Sequence, residues 1–159
     1  MTPAVGYVFA ALEDARRVLV ASVAGLDAQA LRAALPGGNS IATLLWHAAA
    51  VERWWVEEVL EGRPMPEDVR HLLGHDISWE KHLPEPALRP PEHFLALLKS
   101  QREHTRRLLL GWSDGDLDRA YPDLAHEHTY TGRWVLNHLV QHDMHHEGQI
   151  RMLRGSSRR

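Results

Sequence analysis

Residues 131–155 read TGRWVLNHLVQHDMHHEGQIRMLRG and carry the strongest local signal in this sequence of 159 residues. Apolar residues recur along the stretch with the spacing of an amphipathic α-helix. They are Trp134, Val135, Leu139, Ile150 and Leu153. The stretch therefore predicts a long helix, running from about Thr131 to Gly155, that buries one of its sides.

The same periodicity, interrupted by Gly, Pro and cap residues, predicts three further long helices upstream. The first runs from about Pro3 to Ala24, and the second from Asn39 to Gly62. The third follows residues 90–92 and stops at residues 113–115. No alternation of period two is long enough for a sheet, so the predicted fold class is all-α.

The connection between the second and third helices is unusually long. Residues 62–91 hold six of the nine prolines and cannot form one continuous helix. Thirty residues also exceed what an antiparallel helix hairpin needs. The length fits a crossover between parallel helices, as in bundles with one long connection. The other connection, residues 113–131, is placed to cover one mouth of such a bundle.

Length and composition limit the possible classes of protein. The length fits one domain, residues 1–159. Hydrophobic residues at 44% and charged residues at 25% are ordinary for a globular protein. Twelve histidines and no cysteine are unusual counts. The missing cysteines exclude disulfides, thiolate nucleophiles and iron–sulfur clusters, whereas imidazole alone can ligate a metal ion.

Charge and hydropathy predict neither a nucleic-acid partner nor a membrane partner. A net charge of −3 gives no electrostatic reason to bind a polyanion. No apolar run approaches the roughly 18 residues of a membrane span. The N-terminus lacks a basic segment and soon reaches Glu13 and Asp14, so it is interpreted as a helix and not as a signal peptide. We therefore expect a cytoplasmic protein.

The last predicted helix carries a ladder of histidines. His138, His142 and His146 follow one another at intervals of four. Two of them at i and i+4 can chelate one ion, but the outer two lie about 12 Å apart along the axis and cannot share it. At about 100° per residue, His142 and His146 point with the apolar residues, while His138 and His145 lie toward the flank. Buried imidazoles need partners, which either a metal ion or hydrogen bonds to side chains would supply.

A zinc site needs three or four ligands, so another helix would have to contribute one. His47 lies at the edge of the apolar stripe of the second helix and is the leading candidate. His104 lies among arginines and is expected to be exposed, and His93 lies beside the start of the third helix. The other candidates lie in the proline-rich crossover: His71, His75 and His82.

Other polar and aromatic residues receive structural interpretations first. Glu52 falls inside the apolar stripe of its helix, away from His47, which favours a buried pair with an arginine or a subunit contact over a general base. Tyr130 and His128 are interpreted as surface residues, with contact to a substrate as the alternative. The tryptophans are predicted to be core or dimer-interface residues: Trp46, Trp54, Trp55, Trp79, Trp112 and Trp134.

Segments 40–55 and 138–150 together resemble the DinB/YfiT-like superfamily of metalloenzymes. One histidine in the second helix and His-x3-His in the fourth are each weak motifs, but both in this order and separation are specific. The resemblance spans the chain. It implies a four-helix bundle with an up-down-down-up course and a long crossover between helices 2 and 3. It also implies a metal triad formed by His47, His142 and His146.

The resemblance implies a function as well. Three histidines leave a tetrahedral ion one open position, as in catalytic sites. Similar proteins include mycothiol- and bacillithiol-dependent transferases and a maleylpyruvate isomerase. The implied activity is a metal-dependent, thiol-using S-transferase or a hydrolase of a small substrate. A non-catalytic, stress-associated, dimeric metal-binding protein is the alternative.

The implied cofactors are one divalent metal ion, zinc or nickel, and a low-molecular-weight thiol as co-substrate. The implied partners are a small-molecule substrate and a second copy of the chain in a homodimer. Glu147 stands where the family commonly has Arg, so no role of that Arg transfers to this chain. Gly148 is expected to permit close helix approach, and Gln149 to orient a ligand or line the site. No catalytic residue is predicted, and no role is assigned to His138, His145 or His128.

Overall fold

The structure is a computed structural model and describes residues 1–65, 83–123 and 127–156. Its secondary structure is mostly helical. The elements are α1 (Pro3–Ser22), a 3-10 turn (Ala30–Arg32), α2 (Ile41–Arg53) with a π-helical extension (Trp54–Leu60), α3 (Pro91–Leu110), α4 (Asp114–Asp118), β1 (Ala120–Asp123), β2 (His128–Thr131) and α5 (Gly132–Ser156). Within the described residues, no helix is long and apolar enough to cross a membrane.

The four long helices that the sequence predicts are present as α1, α2 with its extension, α3 and α5. The expectation of a chain without strands was wrong in one place. β1 and β2 form a small antiparallel sheet in which Ala120 lies opposite Thr131 and Asp123 opposite His128. Each strand has only four residues, too few for an alternating pattern to stand out from a loop. Most of the 62–91 crossover, residues 66–82, lies outside the described residues.

The second helix does not continue as a regular α-helix to its end. Residues 54–60 adopt a π-helix, which buries both neighbouring tryptophans, Trp54 and Trp55, together with Val56. A π-helical turn holds more residues than an α-helical turn, so consecutive side chains can share the inner side. Two residues after the π-helix, Gly62 has a φ of 66°, which residues with a side chain rarely adopt.

Gly132, the first residue of α5, lies very close to the segment that precedes the sheet. A Cβ at this position would lie 2.7 Å from the carbonyl oxygen of Asp116 and 2.8 Å from the ring of Trp112. Only glycine permits this approach without a backbone shift. Trp112 in turn stacks on Tyr121 of β1, with ring centroids 5.7 Å apart. These contacts tie the start of α5 to α4 and the sheet.

Two apolar clusters fill the core. The first apolar cluster includes Leu12, Trp54, Trp55, Leu109, Trp112, Val135 and Leu139. The second apolar cluster includes Leu19, Leu45, Ala48, Ala49, Phe94, Leu98, Ile150 and Leu153. Each of the four long helices contributes to both clusters.

A ring of charged side chains lies within the core. It consists of Arg16, Glu52, Arg102 and Asp143, one from each long helix, and we call it the ion-pair ring. Arg16 contacts Glu52 at 2.7 Å and Asp143 at 2.9 Å. Arg102 contacts Glu52 at 2.8 Å and Asp143 at 3.3 Å. No member is more than 7% exposed, so each charge depends on its partners in the ring instead of on water.

The ion-pair ring separates the two clusters along every long helix. The apolar residues on either side of it are Leu12 and Leu19 on α1, Ala49 and Trp54 on α2, Leu98 and Leu109 on α3, and Leu139 and Ile150 on α5. Sliding one helix by a turn, about 5.4 Å, would move a charged side chain toward apolar residues. The ring therefore restricts how far the helices can slide along one another.

The pKa directions of Glu52 and Arg16 agree with charged side chains at these two positions of the ring. Burial alone would raise the pKa of Glu52, but Arg16 and Arg102 outweigh it, so the pKa of Glu52 lies below its usual value. Burial would likewise lower the pKa of Arg16, and its two carboxylate partners raise it above the usual value instead. Thr105 also donates a hydrogen bond to Glu52 at 2.7 Å. Glu52 is therefore the paired acid that the sequence favoured, and not a general base.

Neutralising one member of the ring is expected to destabilise the fold strongly. Glu52→Gln leaves Arg16 and Arg102 sharing a single carboxylate in the core, which typically costs about 3–5 kcal/mol. Urea unfolding of the metal-free protein measures the loss. The control is Glu103→Gln on the same α3 surface as Lys99, where the exposed pair is 3.9 Å long and contributes less than about 1 kcal/mol. Equal losses in the two variants would contradict the role of the ring.

Candidate metal centre

α2 and α5 bring three histidines together side by side. The Nε2 atom of His142 lies 3.3 Å from Nε2 of His47 and 3.1 Å from Nε2 of His146. One ligand nitrogen from each ring lies within 4.8 Å of the other two. This is the only such group of histidines and acids found among the described residues. It contains the three residues that the family resemblance implied.

The position of His47 depends on how α2 begins. The Ser40 side chain caps the helix by accepting a hydrogen bond from the backbone N–H of Thr43 at 3.1 Å. The hydroxyls of Ser40 and Thr43 both donate to the carboxylate of Glu85, at 2.8 Å and 2.6 Å. This network fixes the first turn of α2 about two turns before His47.

Gln149 sets the orientation and tautomer of the His146 ring. Its side-chain oxygen Oε1 lies 2.7 Å from Nδ1 of His146. A carbonyl oxygen only accepts hydrogen bonds, so Nδ1 carries the proton and Nε2 keeps a free lone pair. That Nε2 lies next to His142. Gln149 thus takes the first of its two expected roles, the orientation of a candidate ligand.

The pKa of each of the three rings lies below its usual value, which favours the neutral form. Burial, followed by the charge that His146 would carry, lowers the pKa of His47 from 6.5 to about 3. Burial and the neighbouring histidines place the pKa of His142 well below its usual value. Burial also lowers the pKa of His146, although the bond to Gln149 opposes this effect. Neutral imidazole is the form that ligates metal ions.

The chemistry of the group fits a transition-metal ion. A neutral imidazole has one N–H and one lone pair, so three Nε2 atoms in contact cannot all satisfy one another. Nδ1 of His47 is buried and has no hydrogen-bond partner in the described part of the chain, so no group seen there orients this ring as Gln149 orients the ring of His146. Imidazole nitrogen suits zinc, nickel, copper and iron. The group could therefore hold one such ion.

A stack of aromatic rings runs from the surface to this group. It consists of Tyr130, Trp134, His138 and Trp55, and we call it the aromatic stack. Trp134 lies parallel to His138 at 5.0 Å and to Tyr130 at 4.3 Å between ring centroids, while Trp55 meets His138 edge-on at 5.2 Å. His138 is 5.9 Å from the ring of His142. His138 is thus held among aromatic rings and stands beside the three-histidine group.

The other histidines do not belong to the three-histidine group. His145 is exposed, although its ring is 5.5 Å from that of His146. His128 is exposed on β2, and His93 is exposed on α3. His104 was expected to be exposed, but it is half-buried and lies 2.8 Å from the Glu61 carboxylate. Three candidates lie outside the described residues: His71, His75 and His82.

The structure corrects the expectation for Gly148 and shows where Glu147 and the tryptophans lie. A Cβ on Gly148 would meet no atom of another described element within 4 Å, so the expected close helix approach at this position was wrong for the described residues. Glu147 is buried and pairs with Arg151 one turn later on α5. Of the tryptophans predicted to lie in the core or at a dimer interface, three are buried, namely Trp54, Trp55 and Trp112, whereas Trp46 is half-buried and Trp134 is 43% exposed. Trp79 lies outside the described residues.

A groove of about 440 Å³ lies elsewhere, between α2 and α3. Trp46 and Leu97 form part of its walls, and its polar residues include Arg53, His104 and Arg107. None of the three grouped histidines lines it. The groove is therefore separate from the candidate metal centre.

A helical fold with three converging histidines is the arrangement that the DinB/YfiT-like resemblance implied. The sequence model of the mycothiol-S-transferase family matches residues 7–158. The chain therefore belongs to the mycothiol-S-transferase family, within the DinB/YfiT-like group.

The chain is also similar in fold to a solved structure. That structure is the crystal structure of a conserved protein from Enterococcus faecalis, with a TM-score of 0.66 and 14% sequence identity. The similarity covers 97% of this chain and 96% of that one. At this identity the likeness concerns the fold alone. Among curated proteins, no sequence matches the chain.

The metal-free protein is expected to lose stability as the pH falls below about 6.5. His47 has a pKa of 6.5 in the unfolded chain and about 3 in the folded one, so the unfolded state takes up this proton first. His142 and His146 shift in the same direction. Urea unfolding between about pH 8 and pH 5, above the range in which carboxylates titrate, measures the effect.

The matched control for this pH series is His47→Gln. It removes one titrating group, so its free energy of unfolding should depend less steeply on pH than that of the wild type. A wild-type free energy of unfolding that stays level down to pH 5 would contradict the lowered pKa values.

Proposed function

We propose that this protein is a metal-dependent S-transferase that joins a low-molecular-weight thiol of the mycothiol type to a small electrophile. In this proposal His47, His142 and His146 hold one divalent ion, zinc or nickel. The observation that carries it is the convergence of three neutral imidazoles on one point. The family match supports the thiol as the sulfur donor.

We also propose that the long helices form a four-helix bundle with an up-down-down-up course. The first apolar cluster precedes the second along α1 and α5, and follows it along α2 and α3. Two contacts support the parallel course of α1 and α5, because Arg16 meets Asp143 and the carbonyl of Ser22 meets Arg154. The 62–91 segment would then cross from one end of the bundle to the other.

A divalent ion at this position would lower the pKa of a bound thiol and favour the thiolate, which is the nucleophilic form. The chain has no cysteine, so the sulfur must come from the co-substrate. In the transfer, the thiol loses its proton, its sulfur bonds to the electrophilic carbon, and the displaced group leaves with its electron pair.

The residues of this chain have three roles in that reaction. Three imidazoles supply ligand nitrogens without adding negative charge, which leaves the ion strongly electrophilic. Gln149 fixes His146 in the tautomer whose Nε2 can ligate. The aromatic stack lies beside the group through His138 and includes Trp134, which is 43% exposed and offers an apolar surface to a substrate.

The metal assignment predicts about one divalent ion per chain in the purified protein. Elemental analysis should find the ion in the wild type and find most of it lost from each of His47→Ala, His142→Ala and His146→Ala. His145→Ala is the control, because His145 is exposed beside the group and should leave the content unchanged. Unchanged metal content in all three site variants would refute the site.

The transferase assignment predicts metal-dependent consumption of a small thiol. The holo-protein is incubated with mycothiol-type thiols and a panel of electrophiles, and thioether products are measured by mass spectrometry. Product that forms with metal, and that disappears after chelation and in His142→Ala, supports the proposal. Metal binding without any turnover across the panel would favour the non-catalytic, stress-associated binding protein instead.

Four further statements stay predictions from the sequence: a single domain over residues 1–159, a homodimer, a cytoplasmic location, and the lack of nucleic-acid and membrane partners.

A further inference from the structure

The ion-pair ring and the three-histidine group take nearby residues from the same two helices, α2 and α5. Asp143 directly follows His142 on α5, and Glu52 lies five residues after His47 on α2. His47 must meet His142 and His146 across the contact between these two helices. Whatever fixes α2 against α5 along their axes therefore also fixes the distances from His47 to His142 and His146.

Apolar packing around His47 comes from both large and small side chains. The residues of α2 that face the core here include Leu44 and Leu45 as well as Ala48 and Ala49. Apolar contact has no preferred direction. These contacts therefore define the axial position of α2 less sharply than ion pairs between buried charges do.

The ion pairs of the ring, by contrast, favour one axial position of α2 relative to α5. Glu52 on α2 and Asp143 on α5 are bridged twice, by Arg16 from α1 and by Arg102 from α3. Both guanidinium groups are further anchored on backbone carbonyls, since Arg16 donates to Leu98 at 2.9 Å and Arg102 donates to Leu12. An axial shift would break bonds that buried charges cannot replace with water.

We propose that Glu52 and Asp143 are positioning residues for the three-histidine group. Through Arg16 and Arg102 they hold α2 and α5 at the axial register in which His47 meets His142 and His146. The proposal rests on the proposed function only in that the aligned imidazoles bind a metal ion; the register itself is a property of the metal-free chain.

The register can be measured without metal. The chain has no cysteine, so Arg53→Cys on α2 and Gln141→Cys on α5 provide the only two sites for spin labels. Double electron–electron resonance gives their distance distribution. We expect one narrow distribution in the otherwise wild-type chain. Asp143→Asn should broaden it or shift its maximum by several Å, up to about one helical turn of 5.4 Å.

Co²⁺ titration, with a chelating dye as competitor, measures the consequence for the histidines. Asp143→Asn should weaken Co²⁺ binding by about tenfold or more, the range in which changes behind a ligand act. Leu109→Ala is the control for stability, because it removes a fully buried side chain of the first apolar cluster and leaves the ring intact. It should lower the melting temperature without changing the label distance or the Co²⁺ affinity.

If Asp143→Asn does not fold, the same two measurements are made on Arg102→Lys. It keeps the charge but loses the planar fork that reaches both acids, so it should show the same changes with a smaller amplitude. If label distances and Co²⁺ affinity stay at wild-type values while only stability falls, the inference is overturned. If the wild type itself binds no Co²⁺, the metal proposal fails, and a shift in label distance would still support the register role.

Discussion

Four charged side chains, one from each long helix, form a closed ring of ion pairs in the core. Arg16, Glu52, Arg102 and Asp143 are almost fully buried, and removing any of them leaves an unbalanced charge in an apolar setting. Such a ring adds little net stability over an apolar core of equal volume. Its main effect is to make one alignment of the four helices much better than its neighbours, which apolar packing alone does less sharply.

The candidate metal centre depends on that alignment. His142 and Asp143 are consecutive residues on α5, so one faces α2 while the other enters the ring. The histidine group and the ring therefore use neighbouring residues of the same helices. Every charge of the ring is balanced, whereas the three neutral imidazoles have lone pairs that they cannot satisfy among themselves. Buried polar atoms whose hydrogen bonds are not satisfied by their neighbours call for a functional explanation, such as an ion received from outside.

The sequence predicted the helices of this molecule better than its buried polar groups. Periodicity located four long helices, and helical phase placed His142 and His146 on the inner side. The two-stranded sheet was missed because its strands are four residues long, and the π-helix after Arg53 was missed because its residues fit an α-helical pattern nearly as well. For Glu52 an arginine partner was expected, but Arg16 and Arg102 could not be named. Arg16 gave a signal in the sequence, since Leu12 and Leu19 flank it at helical spacing, but partners on four different helices are defined only by the fold. His47 was the leading candidate on spacing and became one of an implied triad only through the family resemblance.

The central claim is that the Nε2 atoms of His47, His142 and His146 hold one metal ion. Diffraction from a crystal of the zinc-loaded protein, measured on both sides of the zinc absorption edge, tests it most directly. The account predicts one strong anomalous peak per chain, about 2.0–2.1 Å from each of the three nitrogens. A zinc peak bound by other residues, with these three imidazoles hydrogen-bonded to each other alone, would contradict it.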